Sequence, residues 1–194
     1  MDCTQHETIQ LSSEAIALLR SEAESLQFVH AQSENFGIKP AEARITSPFN
    51  MATARGTNYC VELANDTLLV ETAQRLLERP VVFSACNYIL YDSGSFLGLH
   101  TDRPGCEINA LILLAGESSV VELRPLKPEE SVHDLLRLSR LGRGLVDDTD
   151  VVPLPEPGAA VVFHATEIPH QRRPPSGPLL LLSICYGPET ASSR

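Results

Sequence analysis

The sequence predicts an α+β, mainly β, fold in which helices pack outside a β-sandwich or β-barrel. The first observation is a helical pattern before residue 80, followed by short aliphatic or β-branched runs that Gly, Pro, Ser and Asp turns separate. The second is the length of 194 residues, which fits one domain at about 150 residues per domain. The third is a composition of 43% hydrophobic and 21% charged residues, which supplies enough apolar side chains for a core. We therefore expect a single domain over residues 1–194.

Two amphipathic helices are predicted in the first 80 residues, which we expect to support the β core. Residues 12–29 carry apolar side chains at a spacing of three to four residues, behind a capping serine at position 12 or 13. A second helix is predicted to begin at residue 65 or 66 and to end before Pro80, because proline cannot continue a helix.

The remaining short apolar runs are predicted to be strands. Those after Pro80 alternate with turn residues, which is typical of an antiparallel sandwich or barrel. Between the helices, two further strands are predicted with a loop at residues 50–56. The predicted strands cover residues 43–49, 57–63, 81–91, 96–101, 108–114, 120–123, 159–163 and 179–186.

A longer segment, residues 127–157, interrupts the series of strands. A short helix is predicted over residues 129–141, and the acidic run Asp147-Asp148-Thr149-Asp150 follows it. The segment is either a decorated loop between strands or a lid over the mouth of a barrel, because long insertions in small domains are often functional.

Charge and composition exclude several function classes. Lys and Arg total 15 and Asp and Glu total 25, which gives a net charge of −10. Non-specific nucleic-acid binders and membrane-surface proteins need clustered positive charge, and six Phe, four Tyr and no Trp leave few rings for stacking bases. The apolar runs are also far shorter than the about 20 residues that span a bilayer. We expect no nucleic-acid or membrane partner.

The cysteines predict a reducing compartment. The chain has five, an odd number, and no Cys-x-x-Cys pair, which favours free thiols over a disulfide framework. The polar, slightly acidic first residues resemble neither a secretory signal nor a transit peptide. The expectation is a cytoplasmic protein with free thiols at Cys3, Cys60, Cys86, Cys106 and Cys185.

A candidate metal site lies at the end of the predicted strand over residues 96–101. His100 and Asp102 are two residues apart, so on a strand their side chains project to the same face. One more histidine would complete the two-histidine, one-carboxylate set that binds non-haem Fe(II). His170, just after the strand that ends at Phe163, is the best candidate, and His164 is its rival. The alternatives are a surface ion pair at His100 and Asp102 and an ordinary loop histidine at His170.

The combined motif resembles the Fe(II)/2-oxoglutarate-dependent oxygenase superfamily. It consists of Tyr91-x-x-Gly94, then His100-x-Asp102, then Gly158-x4-Phe163-x6-His170. The resemblance covers residues 81–187 and, more loosely, the two helices before them. It implies a double-stranded β-helix (jelly-roll, cupin-like) over residues 81–187, with an insert at 127–157 and two N-terminal helices packed on one sheet.

The resemblance also implies roles for individual residues. His100, Asp102 and His170 would bind Fe(II) at the catalytic centre. Tyr91, nine residues before the first ligand, would reach the carboxylate of the cosubstrate 2-oxoglutarate, unless it is simply a core tyrosine. Because Asp102 is present where halogenating members have a small residue, hydroxylation or desaturation with O2 is favoured over halogenation.

The sequence departs from the superfamily at its usual 2-oxoglutarate anchor. Members carry Arg or Lys about ten residues after the second histidine, often as Arg-x-Ser; here Ser183 fits, but Leu181 stands two residues before it. A buried carboxylate without a cationic partner costs several kcal/mol. Arg172, which shares strand parity with His170, and the adjacent Arg173 are candidates for the missing cation, unless they form a solvated pair facing the acidic insert. The other candidates are Arg55, Arg103 and Arg124.

The sequence therefore predicts an Fe(II)/2-oxoglutarate-dependent dioxygenase of the hydroxylase type that acts on a small-molecule substrate. The alternatives are an Fe(II)/O2 enzyme that does not use 2-oxoglutarate, a degenerate iron site, a non-catalytic cupin-like metal-binding module, and a metal-dependent isomerase or lyase. Residues predicted on the substrate side are Asn50, Arg55, Asn58 and Arg103.

Overall fold

The computed structural model describes residues 6–30, 51–93, 95–135 and 145–189. The helices are α1 (Ser13–Ser25), α2 (Asn58–Ala64) and α3 (Thr67–Leu77). The strands are β1 (His6–Gln10), β2 (Val29–His30), β3 (Met51–Arg55), β4 (Val81–Tyr91), β5 (Leu97–His100), β6 (Ile108–Ala115), β7 (Ser119–Leu123), β8 (Asp150–Leu154), β9 (Ala159–His164), β10 (His170–Arg172) and β11 (Leu179–Pro188).

The strands form two antiparallel sheets. The major sheet has the order β1-β9-β6-β11-β4-β3-β2, and the minor sheet has the order β5-β10-β7-β8. A core lies between the sheets, where Val121 and Val152 of the minor sheet meet Leu113 and Leu181 of the major sheet. The helices cover the other face of the major sheet, where Leu19 and the other buried residues of α1, α2 and α3 form a second core.

The alternation of side chains along β6 shows how one strand serves both cores. Ile112 and Leu114 belong to the core under the helices, whereas Leu113 belongs to the core between the sheets. Successive strand residues point to opposite faces, so a strand covered on both sides is apolar throughout. The predicted mainly β fold with helices packed on one sheet is confirmed.

Both predicted helices are present. The Ser12 side chain accepts a hydrogen bond from the backbone N–H of Ala15 at the start of α1, and Asp66 caps α3 through the N–H of Leu68. Such side-chain caps satisfy N–H groups that the first turn leaves unpaired. Helix α1 ends at Ser25 instead of continuing to residue 29, because Leu26 adopts an extended conformation and a short strand follows.

The prediction for residues 50–63 is wrong. Met51–Arg55 is a strand that pairs with β4, and Asn58–Ala64 is a helix. Helix α2 has no cap of its own, but the carboxylate of Glu22 accepts hydrogen bonds from the N–H groups of Thr57 (2.6 Å) and Cys60 (2.9 Å). This contact comes from a helix 35 residues away in sequence, so local patterning does not reveal it. The strand predicted over residues 43–49 lies outside the described residues.

The segment over residues 127–157 contributes to the minor sheet. Its strand β8 pairs with β7, and residues 132–135 form a helical turn, while the rest of the predicted helix lies outside the described residues. Asp148 of the acidic run forms ion pairs: its Oδ2 atom lies 2.8 Å from Lys127 Nζ and 3.3 Å from Arg124 Nη2. Strands β1, β8 and β10 were not predicted, because each is short or interrupted by polar residues.

Four of the five cysteines differ from the prediction of free thiols, and Cys3 lies outside the described residues. Cys106 is joined to Cys185, and Cys60 is paired with Cys86. The first bond ties the turn that follows Asp102 to strand β11. Within the described ranges, no helix combines the length and the apolar character that crossing a membrane requires.

Candidate metal centre

Two neighbouring strands of the minor sheet bring the predicted ligands together. His100 ends β5, His170 begins β10, and the two residues are direct partners in the antiparallel register. Asp102 follows β5 by two residues, and its backbone N–H donates to the carbonyl of Ala165 at 2.8 Å. His170, which is far from His100 and Asp102 in sequence, therefore meets that pair at one end of the minor sheet, as the sequence predicts.

The ligand atoms of the three residues converge on one point. Asp102 Oδ1 lies 3.7 Å from His100 Nε2 and 3.8 Å from His170 Nε2. The centroids of the two imidazole rings are 4.2 Å apart, and the potential ligand atoms all lie within 4.8 Å of one another. These spacings suit a single ion bound by one atom of each residue, since metal–nitrogen and metal–oxygen bonds are about 2.0–2.2 Å long.

Hydrogen bonds on the far side of each ring fix which nitrogen is available. His100 Nδ1 lies 2.8 Å from the carbonyl oxygen of Gly98, and His170 Nδ1 lies 3.0 Å from that of Ile168. A carbonyl only accepts, so Nδ1 carries the proton in each ring and Nε2 presents its lone pair to the centre. Metal-binding histidines are commonly oriented in this way.

The surroundings of His170 keep its imidazole neutral. Burial, and to a smaller extent the neighbouring His100, lower the pKa of His170 to about 4, although Asp102 opposes the change. The ring of Phe163 supports His170 edge-on, with centroids 4.8 Å apart. A neutral, firmly packed imidazole is the form that binds a metal ion.

The rival ligand His164 lies elsewhere. Its Nε2 is 2.8 Å from the carbonyl oxygen of Leu76 at the end of α3, on the helix-covered side of the major sheet. Among the described residues, one further cluster has ligand-like spacing, formed by Asp102, Cys106 and Cys185. The sulfur atoms of that cluster are bonded to each other.

Arg172 is buried beside the centre with one nitrogen unpaired. It is 4% exposed and shares the inward face of β10 with His170, one residue intervening. Its Nη1 donates to the hydroxyl of Ser119, while Nη2 is buried and has no hydrogen-bond partner within the described ranges. A buried guanidinium without a carboxylate is costly, so this nitrogen is available to pair with an anion.

The ring of Tyr91 packs against Arg172. The guanidinium carbon of Arg172 is 5.2 Å from the centroid of the Tyr91 ring. Burial, together with the charge of Asp102, raises the pKa of the Tyr91 phenol, and Arg172 opposes the rise. The phenol therefore stays protonated and can donate a hydrogen bond.

The other candidate arginines either form ion pairs with carboxylates or are exposed to solvent. Arg173 points away from Arg172 and pairs with Glu122 (2.7 Å) and Asp147 (2.8 Å). Arg124 pairs with Glu130 at 2.8 Å. Arg55 and Arg103 are exposed at the surface, as is Asn58, another residue predicted on the substrate side; Asn50 lies outside the described residues.

Asn109, a polar residue that the sequence does not single out, links Asp102 to Ser183. Asn109 Nδ2 donates to Asp102 Oδ2 at 2.8 Å, and its Oδ1 accepts from Ser183 Oγ at 3.0 Å. Ser183 was predicted to contact the cosubstrate, whereas the structure shows its hydroxyl on Asn109. The signal for Asn109 was its position, because it is the one polar residue in the apolar strand β6.

No protein-family model matches the chain, and no curated protein matches it in sequence. Among solved structures, HygX from Streptomyces hygroscopicus with nickel, 2-oxoglutarate and hygromycin B bound has a TM-score of 0.69 and 16% identity, covering 97% of this chain and 84% of that chain. The non-heme alpha ketoglutarate dependent epimerase SnoN from nogalamycin biosynthesis has a TM-score of 0.68 and 15% identity, covering 96% and 79%.

A Pseudomonas putida prolyl-4-hydroxylase is also similar, with a TM-score of 0.61 and 15% identity, covering 96% of this chain and 94% of that chain. Further structures of HygX with iron, and of SnoN with Fe3+, alpha ketoglutarate and nogalamycin RO, belong to the same set. At this level of identity the likeness establishes a shared fold. The fold that this chain shares with these proteins is the part of the predicted resemblance that the comparisons bear out.

Proposed function

We propose that the chain is an Fe(II)- and 2-oxoglutarate-dependent oxygenase that oxidises a small molecule with O2. In this proposal residues 81–187 are a double-stranded β-helix that forms the catalytic core of one domain over residues 1–194. The observation that carries the proposal is Arg172, whose buried Nη2 is unpaired beside the His100, Asp102 and His170 cluster. A module that only bound a metal would have no need of a buried cation there.

The donor set fits Fe(II). Two neutral imidazole nitrogens and one carboxylate oxygen are the ligands of non-haem Fe(II) oxygenases, and they leave positions on the ion free for other ligands. When bound, the iron and the keto acid supply the oxidation chemistry: 2-oxoglutarate loses CO2 to become succinate and provides the electrons that activate O2. The chain supplies orientation, charge and exclusion of water.

Arg172 and Tyr91 are the proposed 2-oxoglutarate contacts. The guanidinium would pair with the carboxylate far from the metal, and the phenol of Tyr91 would donate a hydrogen bond to it. Leu181, at the position where other members carry the cation, is fully buried in the core between the sheets. In this assignment the cation is supplied by β10 of the minor sheet instead of β11 of the major sheet. Arg173, held by Glu122 and Asp147, is not used in this assignment.

The proposed reaction is a hydroxylation or related oxidation of a small substrate. The solved structures of similar fold include proteins described with hygromycin B and nogalamycin RO bound, which supports a small molecule. A prolyl-4-hydroxylase among them supports the hydroxylase type. The side chains of His100 and Asp102 are 26% and 19% exposed, so the substrate would approach from their side, near the exposed Arg103.

Anaerobic titration tests the proposal. Addition of 2-oxoglutarate to the Fe(II)-loaded protein should produce a weak charge-transfer band at about 500–530 nm, which reports keto-acid binding through two atoms. The band should be absent in His100→Ala, which lacks one ligand. Iron binding without the band, at saturating 2-oxoglutarate, would contradict the cosubstrate claim and favour an Fe(II)/O2 enzyme that uses no keto acid.

A further inference from the structure

The two carboxylate oxygens of Asp102 have different surroundings. Oδ1 faces the Nε2 atoms of His100 and His170, at 3.7 Å and 3.8 Å. Oδ2 accepts a hydrogen bond from Asn109 Nδ2 at 2.8 Å. The Sγ atom of Cys106 is also 3.4 Å from Oδ2. One oxygen of the carboxylate therefore lies near the two imidazole nitrogens, while the other is hydrogen-bonded to Asn109.

A second hydrogen bond fixes the orientation of the Asn109 amide. Ser183 Oγ donates to Asn109 Oδ1 at 3.0 Å, so the amide oxygen is occupied and the NH2 group must face Asp102. A carboxylate can only accept, which makes this the one favourable arrangement. Asn109 is 7% exposed and Ser183 is 8% exposed, so water competes little with either bond.

The sheet holds both polar residues at fixed positions. Asn109 lies on β6 and Ser183 on the adjacent β11, whose register places Cys185 opposite Asn109 and Ser183 opposite Leu111. The other residues of β6 are apolar. Burying an amide in such a strand is unfavourable unless its NH2 and C=O groups are hydrogen-bonded. In Asn109 the NH2 group is bonded to Asp102 and the C=O group to Ser183.

We propose that Asn109, oriented by Ser183, is a positioning residue that keeps Asp102 bound to the metal through Oδ1 alone. The inference rests on the proposed function, since it assigns the metal to the same cluster. With Oδ2 held by the amide, the carboxylate occupies one position on the ion and leaves the others for the cosubstrate and O2. Loss of the amide frees the carboxylate to rotate, which weakens and disorders the ligand set.

The test measures the metal affinity of variants at Asn109 and Ser183. Mn(II) is the probe, and the free ion is measured by electron paramagnetic resonance. Asn109→Ala should raise the Kd for Mn(II) by about 10- to 100-fold, the usual effect of removing a hydrogen-bond partner of a metal ligand. Ser183→Ala should act in the same direction and more weakly. Asn65→Ala, which removes an exposed helix-end amide, should leave the Kd unchanged.

A spectroscopic measurement separates positioning from a general loss of structure. The absorption spectrum of the Co(II)-loaded protein reports the geometry of the ligand set, and it should change in Asn109→Ala and in Ser183→Ala but not in Asn65→Ala. If Asn109→Ala does not fold, Ser183→Ala gives the decisive result. An unchanged Kd and an unchanged Co(II) spectrum in the folded variants would overturn the inference.

The two proposals fail in different ways. If the wild-type protein binds no Mn(II), or if His100→Ala binds it equally well, the metal site itself is wrong and both proposals fall. If the wild-type protein binds Mn(II) and His100→Ala does not, while the Asn109 and Ser183 variants match the wild type, only the positioning role is overturned.

Discussion

The guanidinium of Arg172 lies over the ring of Tyr91, with its central carbon 5.2 Å from the ring centroid. Both residues are buried, at 4% and 2% exposure, although they come from strands of different sheets. The contact holds the cation against an aromatic face and leaves Nη2 without a hydrogen bond inside the described ranges. Arg172 and Tyr91 together form the proposed binding position for the second carboxylate of 2-oxoglutarate.

Replacement of Arg172 should weaken 2-oxoglutarate binding. Arg172→Leu removes the charge, and the Kd of the Mn(II)-loaded protein for 2-oxoglutarate should rise by about 10- to 150-fold, since a hydrogen bond to a charged group contributes about 1.5–3 kcal/mol. Arg172→Lys should recover only part of the affinity, because an ammonium cannot replace the planar fork. Isothermal titration calorimetry gives both values.

The neighbouring arginine provides the contrast for that experiment. Arg173→Leu removes ion pairs with Glu122 and Asp147 that lie partly in solvent, and the Kd should rise no more than about fivefold. A larger effect for Arg173→Leu than for Arg172→Leu would show that the anchor has been assigned to the wrong residue.

His100→Ala should abolish specific Fe(II) binding. The variant leaves one imidazole and one carboxylate, and the remaining pair cannot hold the ion in the three-point geometry of the cluster. Iron retained after anaerobic gel filtration measures the effect. His133→Ala, whose side chain is 88% exposed, is the control and should retain iron like the wild type.

The sequence predicts the metal ligands better than it predicts their supports. His100 and Asp102 share a strand face, and the motif brings in His170, so three residues could be found from spacing and resemblance. The choice of Arg172 among five arginines could not be made, because it depends on which guanidinium is buried without a carboxylate. Pairing between strands of the two sheets decides that burial, and no local pattern encodes it.

The errors near residue 60 have a similar cause. The run from Thr57 to Leu63 is apolar enough for a strand, but Glu22 of α1 caps the N–H groups of Thr57 and Cys60 and favours a helix. The role of Asn109 also depends on contacts that only the folded chain brings together. A single polar residue in an apolar strand gains its role only when the strand is placed beside Asp102 and Ser183.

Glu22→Ala should destabilise the fold. Its carboxylate is 6% exposed and accepts hydrogen bonds from Thr57 and Cys60, so its loss leaves buried donors unpaired and should lower the free energy of unfolding by about 2–3 kcal/mol. Urea denaturation measures the change. Glu24→Ala, an exposed glutamate of the same helix, should change the stability by less than about 0.5 kcal/mol.

The same contact predicts sensitivity to acid. Burial raises the pKa of Glu22, but the hydrogen bonds from Thr57 and Cys60 outweigh it and lower the pKa below the ordinary value of 4.5. The contribution of Glu22 is therefore present above pH 4.5 and is lost as the pH falls through the lowered value. The stability difference between wild type and Glu22→Ala should shrink over that interval; a constant difference would contradict the assignment.

The disulfide bond between Cys106 and Cys185 can be tested by peptide mapping. Peptide mapping of protein alkylated in denaturant without reductant should find the two cysteines in one linked fragment. The bond closes a loop across 79 positions, so Cys106→Ser with Cys185→Ser should lower the free energy of unfolding by about 4.5 kcal/mol if the bond acts through chain entropy. Recovery of both cysteines as alkylated thiols would instead support the reduced, cytoplasmic state that the sequence predicts.

The most direct test is a crystal structure of the protein with Mn(II) and 2-oxoglutarate bound under anaerobic conditions. We expect one ion bound by His100 Nε2, His170 Nε2 and Asp102 Oδ1, with the far carboxylate of 2-oxoglutarate on Arg172 Nη2. A metal held by other residues, or a 2-oxoglutarate carboxylate paired with a different cation while Arg172 stays unpaired, would contradict it.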